Sequence, residues 1–209
     1  MGEINYAPLI DDMVWSYSRI KAFVDCPYRF YLKYIRHIHG KEMFFASYGT
    51  FMHKLIETYF KEGKSPRQLT DIYLRDFKKE VVGRAPNKTV FGNYFTGGLQ
   101  YLRNIHPFPY RPVAIEKKVD FKVNGIPFIG YIDFLGELDG SLYVVDNKSR
   151  VLKPRSKREK PTKTDEELDA YLKQLYLYSA AVEEEYGVRP RKLCFNSRKF
   201  FRIPVMKLK

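Results

Sequence analysis

The sequence predicts an α/β (α+β) fold in which N-terminal helices precede an antiparallel three-strand meander, a long helix and a further strand. Apolar residues recur at helical spacing in the first half, and from Pro112 they alternate with period two. Two turn dipeptides, Asn124-Gly125 and Asp139-Gly140, lie between apolar runs of the second half. We expect a single domain over 1–209, with a helical portion at 16–106 and a sheet-and-helix portion at 112–200, because 209 residues bury one core more readily than two.

Local signals divide the helical portion into segments. Ser16 or Ser18 can cap the first helix. Cys26-Pro27 is expected to end it and open a second helix, because Pro lacks an N–H and fits a first helical turn. A further helix is expected at about 48–60, and Ser65-Pro66 indicates the start of the next.

The two turn dipeptides define the meander. They predict antiparallel strands at about 113–123, 126–138 and 141–149, because Asn-Gly and Asp-Gly favour two-residue hairpin turns. A long amphipathic helix is then expected at about 165–186, followed by a strand at about 192–199.

Composition and charge limit the class of protein. Hydrophobic residues make up 44% and aromatic residues 16% of the chain, which excludes a disordered protein. The net charge of +13 favours a polyanionic partner, although an unspecialised basic surface is the alternative. Two cysteines, no signal-peptide pattern at the start and no long apolar run predict a reducing, cytoplasmic setting without membrane contact.

The hairpin registers bring three acids together. Counting outward from each turn places Glu116 opposite Asp133 and Asp133 opposite Asp146. Like charges facing each other destabilise a sheet, and a hard divalent cation such as Mg²⁺ or Mn²⁺ would convert that repulsion into shared coordination. The row therefore predicts a metal site. The alternative is a solvated outer face whose acids pair with neighbouring lysines.

Lys148 follows Asp146 at i+2 on the predicted third strand, so both side chains project to the same side. Hydrolysis of a phosphodiester needs an activated water, a neutralised phosphate and a stabilised leaving oxygen. Lys148 could orient or deprotonate that water, or stabilise the transition state through its charge. The residues leave these roles open.

Several segments, taken in order, resemble the motifs of one family. They are 16–31, Gly49-Thr-Phe-Met-His53, Glu116, Gly130-Tyr-Ile-Asp133, Val144-Val-Asp-Asn-Lys148 and Gln174-Leu-Tyr-Leu-Tyr178. In this combination the chain resembles the PD-(D/E)XK nucleases, and within them the RecB-like branch that includes CRISPR-associated and phage exonucleases. The resemblance implies a restriction-endonuclease-like core.

The same resemblance implies roles for individual residues. His53, Asp133, Asp146 and the backbone carbonyl of Asn147 would bind the metal, and Lys148 would be catalytic. Glu116 would be a further acid at the site. The pair Gln174 and Tyr178, at i and i+4, would support the site and the nucleic-acid backbone. Glu57 could reach the imidazole or the metal, or form a helix salt bridge with Lys61.

Iron–sulfur members of the branch combine a cysteine like Cys26 with three more near the carboxyl end. This chain has only Cys194 there, and a cluster needs four thiolates. We therefore predict no iron–sulfur cluster and expect Cys26 to be a small buried hydrophobe.

A segment dense in positive charge, 150–163, separates the third strand from the long helix. It is expected to be a mobile loop that neutralises phosphates through Arg150, Lys153, Arg155, Lys157 and Arg158. The alternative is a solvated charge run. Aromatic residues such as Tyr94, Phe95 and Tyr101 could stack on unpaired bases or belong to the core.

Taken together, these features predict a metal-dependent nuclease that hydrolyses DNA, single-stranded or at duplex ends, with Mg²⁺ or Mn²⁺. An exonuclease of DNA repair, recombination or mobile-element and CRISPR biology is the expected role. One alternative is a catalytically inactive nucleic-acid-binding subunit of a larger recombination complex. Another is a protein-interaction subunit of a recombination or adaptation complex, in which the positive charge serves assembly on DNA.

Overall fold

The computed structural model describes residues 7–197 and 200–207, with side chains described as far as Ser197. Within these residues seven helices precede or interrupt five strands. The helices are α1 (Ala7–Asp11), α2 (Tyr17–Asp25), α3 (Pro27–Phe30), α4 (Phe44–Glu62), α5 (Pro66–Glu80), α6 (Lys88–Arg103) and α7 (Lys163–Tyr186). The strands are β1 (Arg111–Val123), β2 (Ile126–Leu138), β3 (Ser141–Lys148), β4 (Lys192–Ser197) and β5 (Phe200–Lys207).

The helix starts agree with the capping signals. Ser16, rather than Ser18, caps α2 by accepting a hydrogen bond from the N–H of Arg19 at 3.3 Å. Pro27 opens α3, which continues into a π-helical turn at Tyr31–Ile35. Ser65 and Gln68 form a reciprocal capping box at the start of α5.

Some boundaries differ from the expected ones. Helix α4 begins at Phe44, one turn before the expected position, and the sequence reasoning did not define α1, α6 or β5. The expected last strand ends at Ser197, and residues 198–199, which it was also predicted to include, lie outside the described residues.

Both hairpin turns have the conformation that their sequences favour. Asn124 and Gly125 have φ angles of 51° and 81°, and Asp139 and Gly140 have 51° and 70°. Positive φ at both central residues is the type I′ geometry, whose twist matches that of the flanking strands. The pairs Val123↔Ile126 and Leu138↔Ser141 therefore have the predicted register.

The five strands form one sheet in the order β1-β2-β3-β4-β5, in which only β3 and β4 are parallel. Helix α7 connects these two strands and packs on one face of the sheet. The cluster between them includes fully buried Leu175 of α7, Val144 of β3 and Leu193 of β4. Trp15 extends the sheet beside β2, since its N–H donates to the carbonyl of Pro127 at 2.8 Å. These contacts fix the start of α2 and the position of α7.

Helices α4, α5 and α6 form a second, aromatic-rich cluster. Tyr48, Leu69, Tyr73 and Leu102 are fully buried in it. A third, smaller cluster connects these helices to the sheet, in which the ring of Phe60 lies 5.0 Å from that of Phe134. This contact sets the C-terminal half of α4 against strand β2.

The two cysteines lie in different environments. Cys194 is buried in the cluster that connects helices and sheet, as suits a small apolar residue. Cys26, expected to be buried, is only half-buried, because it lies at the junction of α2 and α3 near the surface. Among the described residues, no helix has the length and apolar character needed to span a membrane.

Candidate metal centre

Strands β1 and β2 are irregular where the predicted acids lie. Glu116 and Asp133 lie between the pairs Ile115↔Phe134 and Lys117↔Ile132, so they occupy opposing positions as expected. Glu116, however, has a φ of 48°, in a region that costs a non-glycine residue roughly 1 kcal/mol or more. Such strain persists only where surrounding contacts hold it, and it often accompanies a functional site.

The irregularity also changes which face of β2 each side chain joins. Ile132 and Leu135 pack in the cluster against α7, whereas Phe134 joins the cluster on the side of α4. Strict alternation would put Ile132 and Phe134 on one face. The break at Asp133 lets this acid approach α4 instead of lying in a regular row.

His53 of α4 meets the two acids at this point. Its Nδ1 atom lies 3.6 Å from Glu116 Oε1 and 3.6 Å from Asp133 Oδ2. One ligand atom from each of the three residues lies within 4.8 Å of the other two. Asp133 is buried, with 8% of its surface exposed, whereas His53 and Glu116 are half-buried. The three side chains could therefore share one ion near the surface.

The surroundings of this cluster favour the protonated forms of Asp133 and His53. Burial and the charge of Asp146 raise the pKa of Asp133 to about 7. Burial favours neutral His53, but the Glu116 carboxylate beside it and the charges of Asp133 and Asp146 outweigh that effect and raise its pKa to about 9. Without a cation, the cluster therefore retains protons that metal binding would have to displace.

Asp146 lies beside this group rather than in it. Pairing of β2 with β3 follows the predicted register as far as Phe134↔Val145 and ends there. Asp133 and Asp146 come next on their strands, but they do not form a pair. The expected single row of three acids is therefore interrupted, because the strands part at this point. Asp146 Oδ2 is buried and lies 2.6 Å from Lys148 Nζ, but it accepts no hydrogen bond of suitable geometry within the described residues.

Lys148 is held on several sides. Its Nζ donates to Gln174 Oε1 of α7 at 3.2 Å and lies 4.5 Å from the ring centre of Tyr171. Gln174 Nε2 in turn donates to the hydroxyl of Tyr178 at 2.8 Å. The pair at i and i+4 thus supports the predicted catalytic lysine. The contact with Tyr171 had no recognisable signal in the sequence.

Gly130 explains how Tyr178 reaches the sheet. A Cβ atom at Gly130 would lie 2.8 Å from Cε1 of the Tyr178 ring, closer than real Cβ contacts allow. Burial raises the pKa of Tyr178, so its hydroxyl stays protonated beside Gln174. Gly130 is therefore required for the close approach of α7 to β2, and through it for the position of Lys148.

Asn147, between the two site residues of β3, connects the site to the helices. Its backbone N–H donates to Asp133 Oδ2 at 2.6 Å. Its side-chain oxygen accepts from Asn196 Nδ2 of β4 at 2.8 Å, and Asn196 Nδ2 also donates to the hydroxyl of Tyr101 of α6 at 2.7 Å. Sequence reasoning missed Asn196, because its partners come from distant parts of the chain.

The basic segment after β3 is anchored rather than loose. Leu152 is buried in the cluster against α7. Asp165 of α7 accepts four hydrogen bonds of 2.7 Å, from the backbone N–H and the hydroxyl of both Ser156 and Thr162. These bonds lower the pKa of Asp165. Contacts with α7 therefore hold this segment, which was expected to be a mobile loop, at Leu152, Ser156 and Thr162. Asp165 is a residue that sequence reasoning missed.

The predicted phosphate-binding residues differ in their surroundings. Arg150 pairs with Glu167 at 2.8 Å, and Arg155 pairs with Asp169. Lys153, Lys157 and Arg158 are exposed, and no ion pair involves them within the described part of the chain. Exposed pairs contribute only about 0 to 1 kcal/mol, so a phosphate could replace the carboxylates at little cost.

Two further alternatives are resolved by contacts. Glu57 lies 2.7 Å from Lys61, which is the helix salt bridge considered for it. Tyr101 is a buried core residue, and Phe95 packs against the helical cluster. Tyr94 also packs there but lines a surface cavity as well.

The residues present fit a hard divalent cation. They supply an imidazole nitrogen, carboxylate oxygens within 4.8 Å of one another, and a further buried carboxylate oxygen without a suitable hydrogen-bond donor. The raised pKa of Asp133 is the expected state of a carboxyl group clustered with other acids when no cation is present.

The fold and this site correspond to a nuclease superfamily whose members use divalent metal ions. The family model of the PD-(D/E)XK nuclease superfamily matches residues 14–202, and the chain belongs to this superfamily. The crystal structure of a protein from Eubacterium rectale, described as a candidate exonuclease, is similar in fold, with a TM-score of 0.59 and 14% identity. The match covers 100% of this chain and 79% of that one. No curated protein matches the chain.

Proposed function

We propose that this protein is a deoxyribonuclease that hydrolyses phosphodiester bonds with Mg²⁺ or Mn²⁺, acting as an exonuclease of the RecB-like branch in DNA repair, recombination or mobile-element biology. The observation that carries the proposal is the convergence of His53, Glu116 and Asp133 beside the Asp146–Lys148 pair. Family membership and the net charge of +13 support a nucleic-acid substrate.

In this proposal His53, Asp133, Asp146 and the backbone carbonyl of Asn147 hold the cation, and Glu116 is a further acid beside them. When bound, a hard divalent cation neutralises charge on the phosphodiester and lowers the pKa of a nearby water. Asp133 is kept in position by the N–H of Asn147, at 2.6 Å.

Lys148 is the proposed catalytic base or charge stabiliser. Its ammonium group lies 2.6 Å from Asp146, at the edge of the acidic cluster, where a phosphate oxygen or an attacking water would lie. Gln174 and Tyr178 keep Lys148 in this position, and they are positioning residues in that sense. The exposed cations Lys153, Lys157 and Arg158, with Arg150 and Arg155, would bind the flanking phosphates.

The test compares cleavage of end-labelled single-stranded, duplex and closed circular DNA by the wild type and by Asp146→Asn and Lys148→Met, with Mg²⁺, Mn²⁺ or EDTA. A matched control is available on β1, where Lys118 and Asp120 form an i, i+2 ion pair of 3.0 Å that is largely exposed. The double substitution Lys118→Met, Asp120→Asn removes the same charges away from the site.

We expect cleavage of linear DNA that needs the cation, at least a hundredfold lower in both site variants and unchanged in the control, since one transition-state charge contact contributes roughly 3 kcal/mol or more. Sparing of circular DNA would support end-dependent cutting. Equal cleavage by all variants would indicate a contaminating nuclease. DNA binding without any cleavage would instead support the inactive binding subunit.

A further inference from the structure

A cavity of about 500 Å³ lies beside the candidate site, and apart from Arg150 and Tyr171 its lining residues have no role in the proposed function. It is lined by Phe45, Ala46, Tyr94, Ser149, Arg150 and Tyr171. Three of these residues are aromatic, one is a cation and none is a carboxylate. A volume of this size is sufficient for a small planar ligand.

The cavity adjoins the candidate catalytic lysine. Ser149 follows Lys148 in the chain, and the ring of Tyr171 has Lys148 Nζ 4.5 Å from its centre. Helix α4 runs from the cavity to the candidate metal centre, because Ala46, Gly49 and His53 share one of its faces. Ala46 lies roughly 10 Å along the helix axis from His53. At Gly49 a Cβ atom would lie only 3.5 Å from Ser149 Oγ, so helix and strand end nearly touch between cavity and site.

One of the three rings is open to solvent and accessible to a ligand. Phe45 is 44% exposed, although it lies on a helix whose other face is buried. Its ring centre lies 5.2 Å from that of Tyr94, which anchors it against the helical cluster. One exposed Phe alone would mean little. An exposed ring that lines a cavity with two more rings and an arginine has the composition of a base-stacking platform.

Arg150 adds the charge that a nucleotide requires. Its guanidinium is exposed and pairs with Glu167 at 2.8 Å, a contact that a phosphate can replace at little cost. The cavity thus presents apolar rings for a base and a cation for its phosphate, directly beside Lys148.

We propose that this cavity binds an unpaired nucleobase of the strand that is cut, so that the substrate is single-stranded next to the scissile phosphate. A base inside a duplex has both faces covered by its neighbours and cannot enter such a cavity. This inference rests on the proposed nuclease function and adds the class of substrate.

The experiment measures binding in EDTA, which prevents cleavage, by fluorescence anisotropy of a labelled single-stranded DNA, its blunt duplex, and single strands carrying one abasic position at successive sites. The variants are Phe45→Ala and Phe45→Trp. Phe23→Ala is the matched control, because Phe23 is a similarly exposed phenylalanine, 48%, on α2 that does not line the cavity.

We expect Phe45→Ala to weaken single-strand binding about five- to a hundredfold, as loss of a stacked base does, and to leave duplex binding unchanged. Phe45→Trp and Phe23→Ala should bind as the wild type does. One abasic position should weaken binding by the wild type but not by Phe45→Ala, because the base and the ring act as a pair.

Three results would overturn the inference: equal weakening of single-strand and duplex binding by Phe45→Ala, no difference between Phe45→Ala and Phe23→Ala, or an abasic effect that persists in Phe45→Ala. If the wild type cleaves DNA but is insensitive at Phe45, only this inference fails. If the wild type neither binds nor cleaves DNA, the proposed function fails with it.

Discussion

Replacing Asp133 by Asn removes one charge from the acidic cluster while preserving the shape of the side chain. Asp133 is buried, close to Asp146 and Glu116, and these surroundings raise its pKa from 3.8 to about 7. The ionised carboxylate therefore destabilises the metal-free fold. We expect Asp133→Asn to raise the melting temperature in EDTA and to remove the stabilisation that Mn²⁺ gives to the wild type.

The expected change in stability follows from the shift in the pKa of Asp133. A pKa raised from 3.8 to about 7 corresponds to an upper limit of about 4 kcal/mol in the free energy of unfolding above neutral pH. An amide oxygen accepts the N–H of Asn147 less strongly than a carboxylate does, which offsets roughly 1 kcal/mol. A net gain of about 1 to 3 kcal/mol would raise the melting temperature by roughly 2 to 12 °C in a chain of this length.

The sign of the pH dependence can be derived from the same shift. Because the folded state raises the pKa of Asp133, the protonated group contributes stability below about pH 4, and this contribution is lost as the pH rises through about 7. The difference between variant and wild type should therefore be small near pH 4 and reach its full size above pH 7.

Thermal unfolding followed by circular dichroism, from pH 4 to 8 in EDTA and in Mn²⁺, measures all of these effects. Asp120→Asn serves as the control, because Asp120 is an exposed acid of β1 outside the cluster. A variant less stable than the wild type in EDTA at pH 8, a difference independent of pH, or a wild type that Mn²⁺ does not stabilise would refute the reasoning.

Three further predictions concern the same region. The neighbouring acids raise the pKa of His53 to about 9, so Mn²⁺ binding should tighten as the pH rises from about 6.5 to 9 and should release protons. The heat of Mn²⁺ binding measured by calorimetry should therefore differ between buffers of different ionisation heat. Equal heats would contradict the prediction. Gly130→Ala should displace the Tyr178 ring, lower the free energy of unfolding by about 1 to 3 kcal/mol and reduce DNA cleavage. An unchanged midpoint of urea unfolding would argue against this prediction. Tyr101→Phe leaves an N–H of Asn196 unsatisfied and should lower the free energy of unfolding by about 1 to 3 kcal/mol. If its effect on stability and that of Asn196→Leu were additive in a double-mutant cycle, the proposed coupling between the two side chains would be disproved.

The meander and its register could be predicted because they are decided locally. A two-residue turn sets which residues oppose each other, so Glu116 and Asp133 have the positions that counting from Asn124-Gly125 implies. The same counting could not show that β2 and β3 part after Phe134↔Val145. That separation depends on how β3 pairs with β4 and how α4 packs against β2.

The contacts that support the site were less predictable. Tyr171, Asn196 and Asp165 carry no motif, and each acts on a partner that packing brings near it. The anchoring of the basic segment by Asp165 differs from the mobile loop that its charge density indicated. Charge density describes how a segment interacts with water and phosphate, but a single buried carboxylate with four donors can order it.

The acids of the meander are near neighbours in the chain, whereas the histidine that joins them is not. Asp133 and Asn147 are only 14 residues apart, and a hairpin of this kind closes in microseconds. His53 can join only after α4 has docked on the sheet, a step of longer range and slower search. We expect the acidic half of the site to assemble first during refolding, and repulsion between its carboxylates to keep that half less stable until the imidazole or a cation joins it.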